Sequence, residues 1–145
     1  MTISSLDAAR KICELGNWQI TNLKLQKMLY LAHLVYLGRT RYPLIREHFE
    51  AWDFGPVEPQ LYHTVKFFGS DPIKLIPSSI VMEKSNFSTT IEEVFQSLRN
   101  KTPGQLVQLT HRRNGAWHRT YSPARKGLRI NDEYILAEYD AFSKN

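Results

Sequence analysis

Residues 25–37 read Leu-Gln-Lys-Met-Leu-Tyr-Leu-Ala-His-Leu-Val-Tyr-Leu. Leu25, Met28, Leu29, Ala32, Val35 and Tyr36 recur at helical spacing, and Leu31 and Leu34 put apolar groups on a second face. A helix that is apolar on most sides is stable in water only when other elements wrap it. The fold is therefore organised around one central helix. Thr21 or Asn22 caps its start, and Gly38 is expected to end it. The apolar run Met28 to Leu37 is interrupted by His33 and falls far short of the ~20 residues that span a bilayer. His33 reads first as a packed, hydrogen-bonded core residue and only second as a functional one.

The elements that wrap this helix are short. A first helix runs from about Leu6 to Leu15, with Ser4 or Ser5 as cap, Asp7 in the first turn and Gly16 at the end. Residues 47–54 partly alternate and read as a strand, closed by a Gly55-Pro56 turn. Pro59 opens a third helix with Leu61, Tyr62, Val65 and Phe68 on its stripe. Ile80 to Met82, within 79–83, is a candidate second strand. Ser88, Thr89 or Thr90 caps a fourth helix, with Thr90 and Glu93 at capping-box spacing. Thr102, Pro103 and Gln105 open a fifth that ends near His111. Residues 112–129 read as a basic loop. Asn131 caps the last helix, buried through Ile135, Tyr139 and Phe142. The expected fold is mainly α, a single domain over 1–145 with about six helices and a small β element.

Charge is segregated along the chain. No Asp or Glu lies between Leu15 and Arg46, where five basic residues sit, nor between Val94 and Asn131, where eight do. The remainder carries all 14 acids. Such blocks either build a basic face suited to a nucleic acid or an acidic protein, or are remixed by the fold. The one cysteine, Cys13, excludes an intrachain disulfide and a four-cysteine zinc site. The first residues lack the order of a secretory signal, so a cytoplasmic protein is expected.

Few residues support catalysis. There is no Gly-x-Ser-x-Gly elbow, no His-Glu-x-x-His and no Gly-rich phosphate loop. His111 and His118, in one basic region, are the best acid–base pair for a ribonuclease, on spacing alone. Trp117 and Tyr121 either stack on bases or anchor the loop to the core. The central helix is too apolar to be a DNA-recognition helix. No catalytic, cofactor or metal residue is assigned, and no enzymatic role is expected.

Two motifs are distinctive: Thr21-Asn22-Leu23-Lys24-Leu25-Gln26-Lys27-Met28-Leu29-Tyr30-Leu31-Ala32, and Glu50-Ala51-Trp52-Asp53-Phe54-Gly55-Pro56-Val57 followed by Tyr62. With Leu106, Thr110-His111, Trp117, Tyr121 and Ile130-Asn131, the chain resembles the Panacea domain family, also described as SocA-like or phage-associated, over about residues 6–143. It departs from that pattern where Asn114-Gly115-Ala116 precedes Trp117 without a proline. The resemblance implies a mostly helical antitoxin of a toxin–antitoxin system that neutralises a toxin encoded beside it by direct binding. One branch of the family instead delivers its toxin to a protease, and some members carry an added DNA-binding domain, which is not expected here.

The candidate partner-binding residues are Lys24, Lys27, Arg112, Arg113, Trp117 and Arg119. Two lysines near the start of the central helix oppose its dipole, so an acidic neighbour or an acidic partner is expected there. Leu25, Gln26, Tyr30, Trp52, Gly55, Pro56, Tyr62, Thr110 and His111 carry the resemblance and have a structural reading first. The partner is expected to be a protein toxin, with a protease in the adaptor reading and nucleic acid, through 94–131, as the alternative.

Overall fold

The computed structural model describes residues 1–78 and 82–143. Among these are seven α-helices and one three-stranded antiparallel sheet. The axis is α2 (Asn22–Thr40), whose Leu25, Met28, Leu29, Tyr30 and Ala32 are buried. Helices α1 (Ser5–Leu15), α4 (Asn86–Leu98), α5 (Pro103–Thr110) and α7 (Asp132–Phe142) pack around it. Each leucine so enclosed contributes roughly 1.5–3 kcal/mol.

Helix α2 does not stop at Gly38. It runs on to Thr40 and closes with Arg41 in the left-handed region, φ 68°. Gly38 serves packing: a Cβ there would lie 2.0 Å from Cγ of Tyr139. The missing side chain lets α7 lie against α2.

Local capping chemistry sets most other ends. The Ser4 side chain accepts from the Asp7 N–H, Thr102 and Gln105 form a reciprocal capping box, and Asn131 accepts from the Glu133 N–H. The start of α4 differs from expectation. Its box is Ser85 with Ser88, three or more residues before the sites expected at 88–90. The earlier start places Phe87 on the helix, where its ring packs 5.2 Å from Tyr36.

The β element is a hairpin. Strand β1 (Glu50–Trp52) pairs with β2 (Gly55–Val57), and β3 (Leu128–Arg129) adds to the other side of β1. Gly55-Pro56, expected as the turn, lies inside β2, and the turn is Asp53-Phe54. Pro56 is tolerated because β2 is an edge strand. In the expected second strand at 79–83, residues 79–81 lie outside the described residues, and Met82 and Glu83 are not in a strand. Residues 112–129, expected as loop, hold α6 (Ala116–Thr120) and β3.

Helix α3 (Pro59–Val65) continues into a single 3₁₀ turn at Lys66–Phe68. On α7, Ile135 is buried as expected, but Phe142 is exposed and Glu138 is buried in its stead. Among the described residues no helix is long and apolar enough to cross a membrane.

Candidate functional site

The two distinctive motifs meet in space. Gln26, on the first turns of α2, grips the chain after the hairpin: its Oε1 accepts from the Glu58 N–H at 2.8 Å, and its Nε2 donates to the Glu58 carbonyl at 3.4 Å. The buried Glu58 carboxylate then caps α3, accepting from the Gln60 and Leu61 N–H groups at 2.8 and 3.0 Å. One glutamine and one glutamate thus fix how the hairpin and α3 sit on α2.

Lys27 lies beside this clamp. Its side chain is fully buried and its Nζ donates to the Pro56 carbonyl at 2.9 Å. No carboxylate among the described residues pairs with it. Burial pushes its pKa down to about 7. Gly55 makes room for it: a Cβ there would come within 2.9 Å of both Lys27 Cε and Thr110 Oγ1, and its φ of +114° suits glycine.

Aromatic rings brace the hairpin from both sides. Trp52 packs edge-on against Tyr62 at 4.7 Å. Trp117 Nε1 donates to the Trp52 carbonyl at 2.7 Å. The Trp117 ring is sandwiched between His111 at 3.6 Å and Tyr121 at 4.6 Å. The Tyr121 hydroxyl donates to Asp53 at 2.5 Å, and Lys126 pairs with Asp53 at 3.2 Å. Burial, with the Lys27 charge second, holds the His111 pKa below its ordinary value, against the Phe54 carbonyl that raises it.

Between the start of α2, the hairpin and α3 lies an open groove of about 890 Å³. Leu23, Gln26 and Lys27 of α2, Trp52 and Phe54 of the hairpin, and Tyr62 of α3 are among the residues that line it. Leu23 and Phe54 are 38% and 69% exposed. Glu50 and the Asp53–Lys126 pair lie along it, and Glu50 accepts from Trp52 Nε1 at 3.0 Å. Mixed apolar walls with a few polar groups are the usual make-up of a binding site.

A second cluster is structural. Glu138 is buried at the contact of α2, α6 and α7, and accepts from the Tyr30 hydroxyl at 2.7 Å, Arg112 Nε at 2.7 Å and the Ala116 N–H at 3.0 Å. Burial, then the Glu138 charge, drives the Tyr30 pKa well up.

The six partner-binding candidates are not brought together on one surface. Lys27 sits under the groove, and Lys24 ties α2 to the end of α4 through the Arg99 carbonyl at 2.9 Å. The neighbour expected to offset these lysines is in both cases a carbonyl instead of an acid. Arg112 is spent on Glu138 and on the Phe142 ring, 4.1 Å away, and Arg119 lies over the Tyr134 ring, also at 4.1 Å. Trp117 is buried and braces the hairpin. Arg113 is exposed. The motif residues Leu25, Gln26, Tyr30, Trp52, Gly55, Pro56, Tyr62, Thr110 and His111 all have internal contacts or burial, and most gather beneath the groove.

Two other histidines have local partners. His33 is buried, its Nδ1 accepts from the Ile45 N–H at 3.4 Å, and its Nε2 donates to Asp132 at 3.0 Å. His118 Nδ1 accepts from the Asn114 N–H at 3.2 Å, away from the His111–Trp117 stack. Cys13 is buried and its thiol is pushed up to about 12 by burial first and Glu14 second.

Sequence reasoning missed Glu138, Glu58 and the exposed Leu23 and Phe54. The first left a signal: Glu138 falls on the stripe of Ile135, Tyr139 and Phe142, and an acid on an apolar stripe needs a buried partner. The groove left none, because its lining is drawn from separate stretches of the chain, from Thr21 to Gly127, that only the fold brings together.

A helical domain with an open apolar groove built from its two most distinctive motifs has the geometry of a binding domain. Residues 25–118, well over half of the chain, match the model of the antitoxin SocA-like, Panacea domain, and the chain belongs to that family. The chain is also similar to antitoxin SocA of Caulobacter vibrioides (strain NA1000 / CB15N), with 32% identity over 111 residues. That match takes in 68% of this chain and 58% of the relative, so the chain spans less than two thirds of the relative's length. No solved structure matches.

Proposed function

We propose that this chain is an antitoxin that neutralises a cognate toxin by direct protein–protein binding, with no chemistry of its own. Family membership and the SocA-like relative support the antitoxin role. The observation that carries the binding mode is the open groove with Leu23 and Phe54 standing exposed at its rim. Exposed apolar side chains around a concave site are what a partner interface uses for its central contacts.

The basic segment fits nucleic acid less well than its charge suggests. Arg112 is bound to Glu138, Arg119 lies on Tyr134, Lys126 pairs with Asp53, and Arg129 contacts His48. Half of the eight cations of this segment are thus drawn into contacts within the fold, which makes them poorer ligands for a phosphate backbone.

Co-expression with the product of the adjacent reading frame tests the reading. Growth arrest by that product, relieved when this chain is present and accompanied by a stable complex at unchanged toxin level, is the expected result. Arrest that persists overturns it. Relief with a falling toxin level and no stable complex points to delivery to a protease instead.

A further inference from the structure

The groove has a chemical bias that its apolar walls do not explain. Lys27 is buried beneath it with a single acceptor, the Pro56 carbonyl, for three N–H donors, and with no carboxylate partner among the described residues. Buried ammonium groups are normally paired. The same end of the groove is lined by Thr21, Asn22 and Leu23, at the start of the 19-residue α2. Thr21 makes no side-chain capping bond there, and the first turn holds no acid, so the positive end of the helix dipole is uncompensated. A buried amine, whose ammonium form a docked carboxylate would favour, and a helix N-terminus thus meet at one end of an apolar groove. Of the two acids that also line it, Asp53 is paired with Lys126, and Glu50 accepts from Trp52 Nε1 on the hairpin.

Resting on the antitoxin reading above, we propose that the groove is the toxin-docking site and that it takes an acidic, apolar segment of the toxin. An Asp or Glu side chain of that segment seats at the Lys27 end, over the α2 N-terminus, while neighbouring apolar side chains cover Leu23 and Phe54. The carboxylate does not need to touch Nζ. Through the low-dielectric floor, an opposite charge some 5 Å away still favours the complex. Sequence specificity then comes from the position of the acid relative to the apolar anchors.

Calorimetry with the full-length product of the adjacent reading frame tests this, using the intact chain, Lys27→Met, and Phe54→Asn. Phe54 is exposed, so its replacement leaves the fold intact and keeps the test decisive if Lys27→Met does not fold cooperatively. Each Asp and Glu of the toxin is also changed in turn to Asn or Gln. The expected result is about a tenfold loss of affinity with Lys27→Met, a comparable loss with Phe54→Asn, and one toxin carboxylate whose removal costs the same on the intact chain. That removal costs nothing further on Lys27→Met, as a double-mutant cycle requires of a direct pair. Binding that stays within twofold for both variants, or toxin carboxylates whose losses all add to that of Lys27→Met, overturns the groove assignment while the antitoxin role stands. No binding by the intact chain overturns both.

Discussion

The Tyr30 hydroxyl, near the middle of α2, donates to the Glu138 carboxylate of α7 at 2.7 Å inside the protein. The same carboxylate holds Arg112 and the Ala116 N–H at the start of α6. One acid on the C-terminal helix therefore fixes the position of the helix that carries Trp117, which in turn holds the hairpin through the Trp52 carbonyl. Glu138→Ala is expected to cost about 3–5 kcal/mol, since it leaves three donors without an acceptor. Glu138→Gln, which keeps acceptors for Tyr30 and Ala116, should cost roughly half of that or less. Urea unfolding of the two variants gives the comparison, and equal midpoints for Glu138→Ala and the parent chain would refute the staple.

Gly38 and Tyr139 form a second dependence between α2 and α7. Gly38→Ala raises helix propensity, which alone favours the folded state by up to about 1 kcal/mol. The added Cβ would overlap the Tyr139 ring, so the net effect is a destabilisation of about 1–3 kcal/mol. Tyr139→Ala should absorb much of that cost in the double variant. Thermal unfolding of the four proteins in the cycle measures the coupling, and simple additivity is the contrary result.

Lys27 gives the fold a pH dependence with a definite sign. Its folded pKa of about 7 lies below the ordinary 10.5, so between these values the unfolded chain binds more protons than the folded one. Stability therefore rises with pH through that window, by up to about 1.4 kcal/mol per unit, and the gain is lost as pH falls through 7. Cys13, pushed to about 12 from 9.0, acts in the opposite sense only above pH 9. Chemical denaturation at pH 7, 8 and 9 should show the climb, and Lys27→Met should flatten it. A slope unchanged by that replacement would place its origin elsewhere.

Cys13 is expected to be inert in the native state, because its thiol is buried on α1 and kept protonated. Iodoacetamide at pH 8 should label the chain only when denaturant is present. Rapid labelling of the native protein would mean that α1 opens readily from the core.

Several elements are legible without coordinates because their causes are local. The capping box of Thr102 and Gln105, the cap at Asn131 and the apolar stripe of α2 depend on residues within four positions of each other. Where two local solutions compete, tertiary contacts choose. Ser85–Ser88 and Thr90–Glu93 both have capping spacing, and the packing of Phe87 on Tyr36 selects the first. Gly38 has the chemistry of a helix terminator, but Tyr139 uses it as a packing notch and the helix continues.

The amino-acid order alone determined that a helix apolar on most sides must stand at the centre, that short capped helices surround it, and which two motifs set the chain apart. It did not determine which cations are free. Arg112 and Lys27 are equally basic in the sequence, yet folding brings one to the buried Glu138 and leaves the other under an apolar groove, where no acid among the described residues pairs with it. Helix propensity and capping act over one or two turns, whereas desolvation and ion pairing depend on atoms brought together from distant parts of the chain. For that reason the groove, and the charge at its end, belong to the tertiary structure.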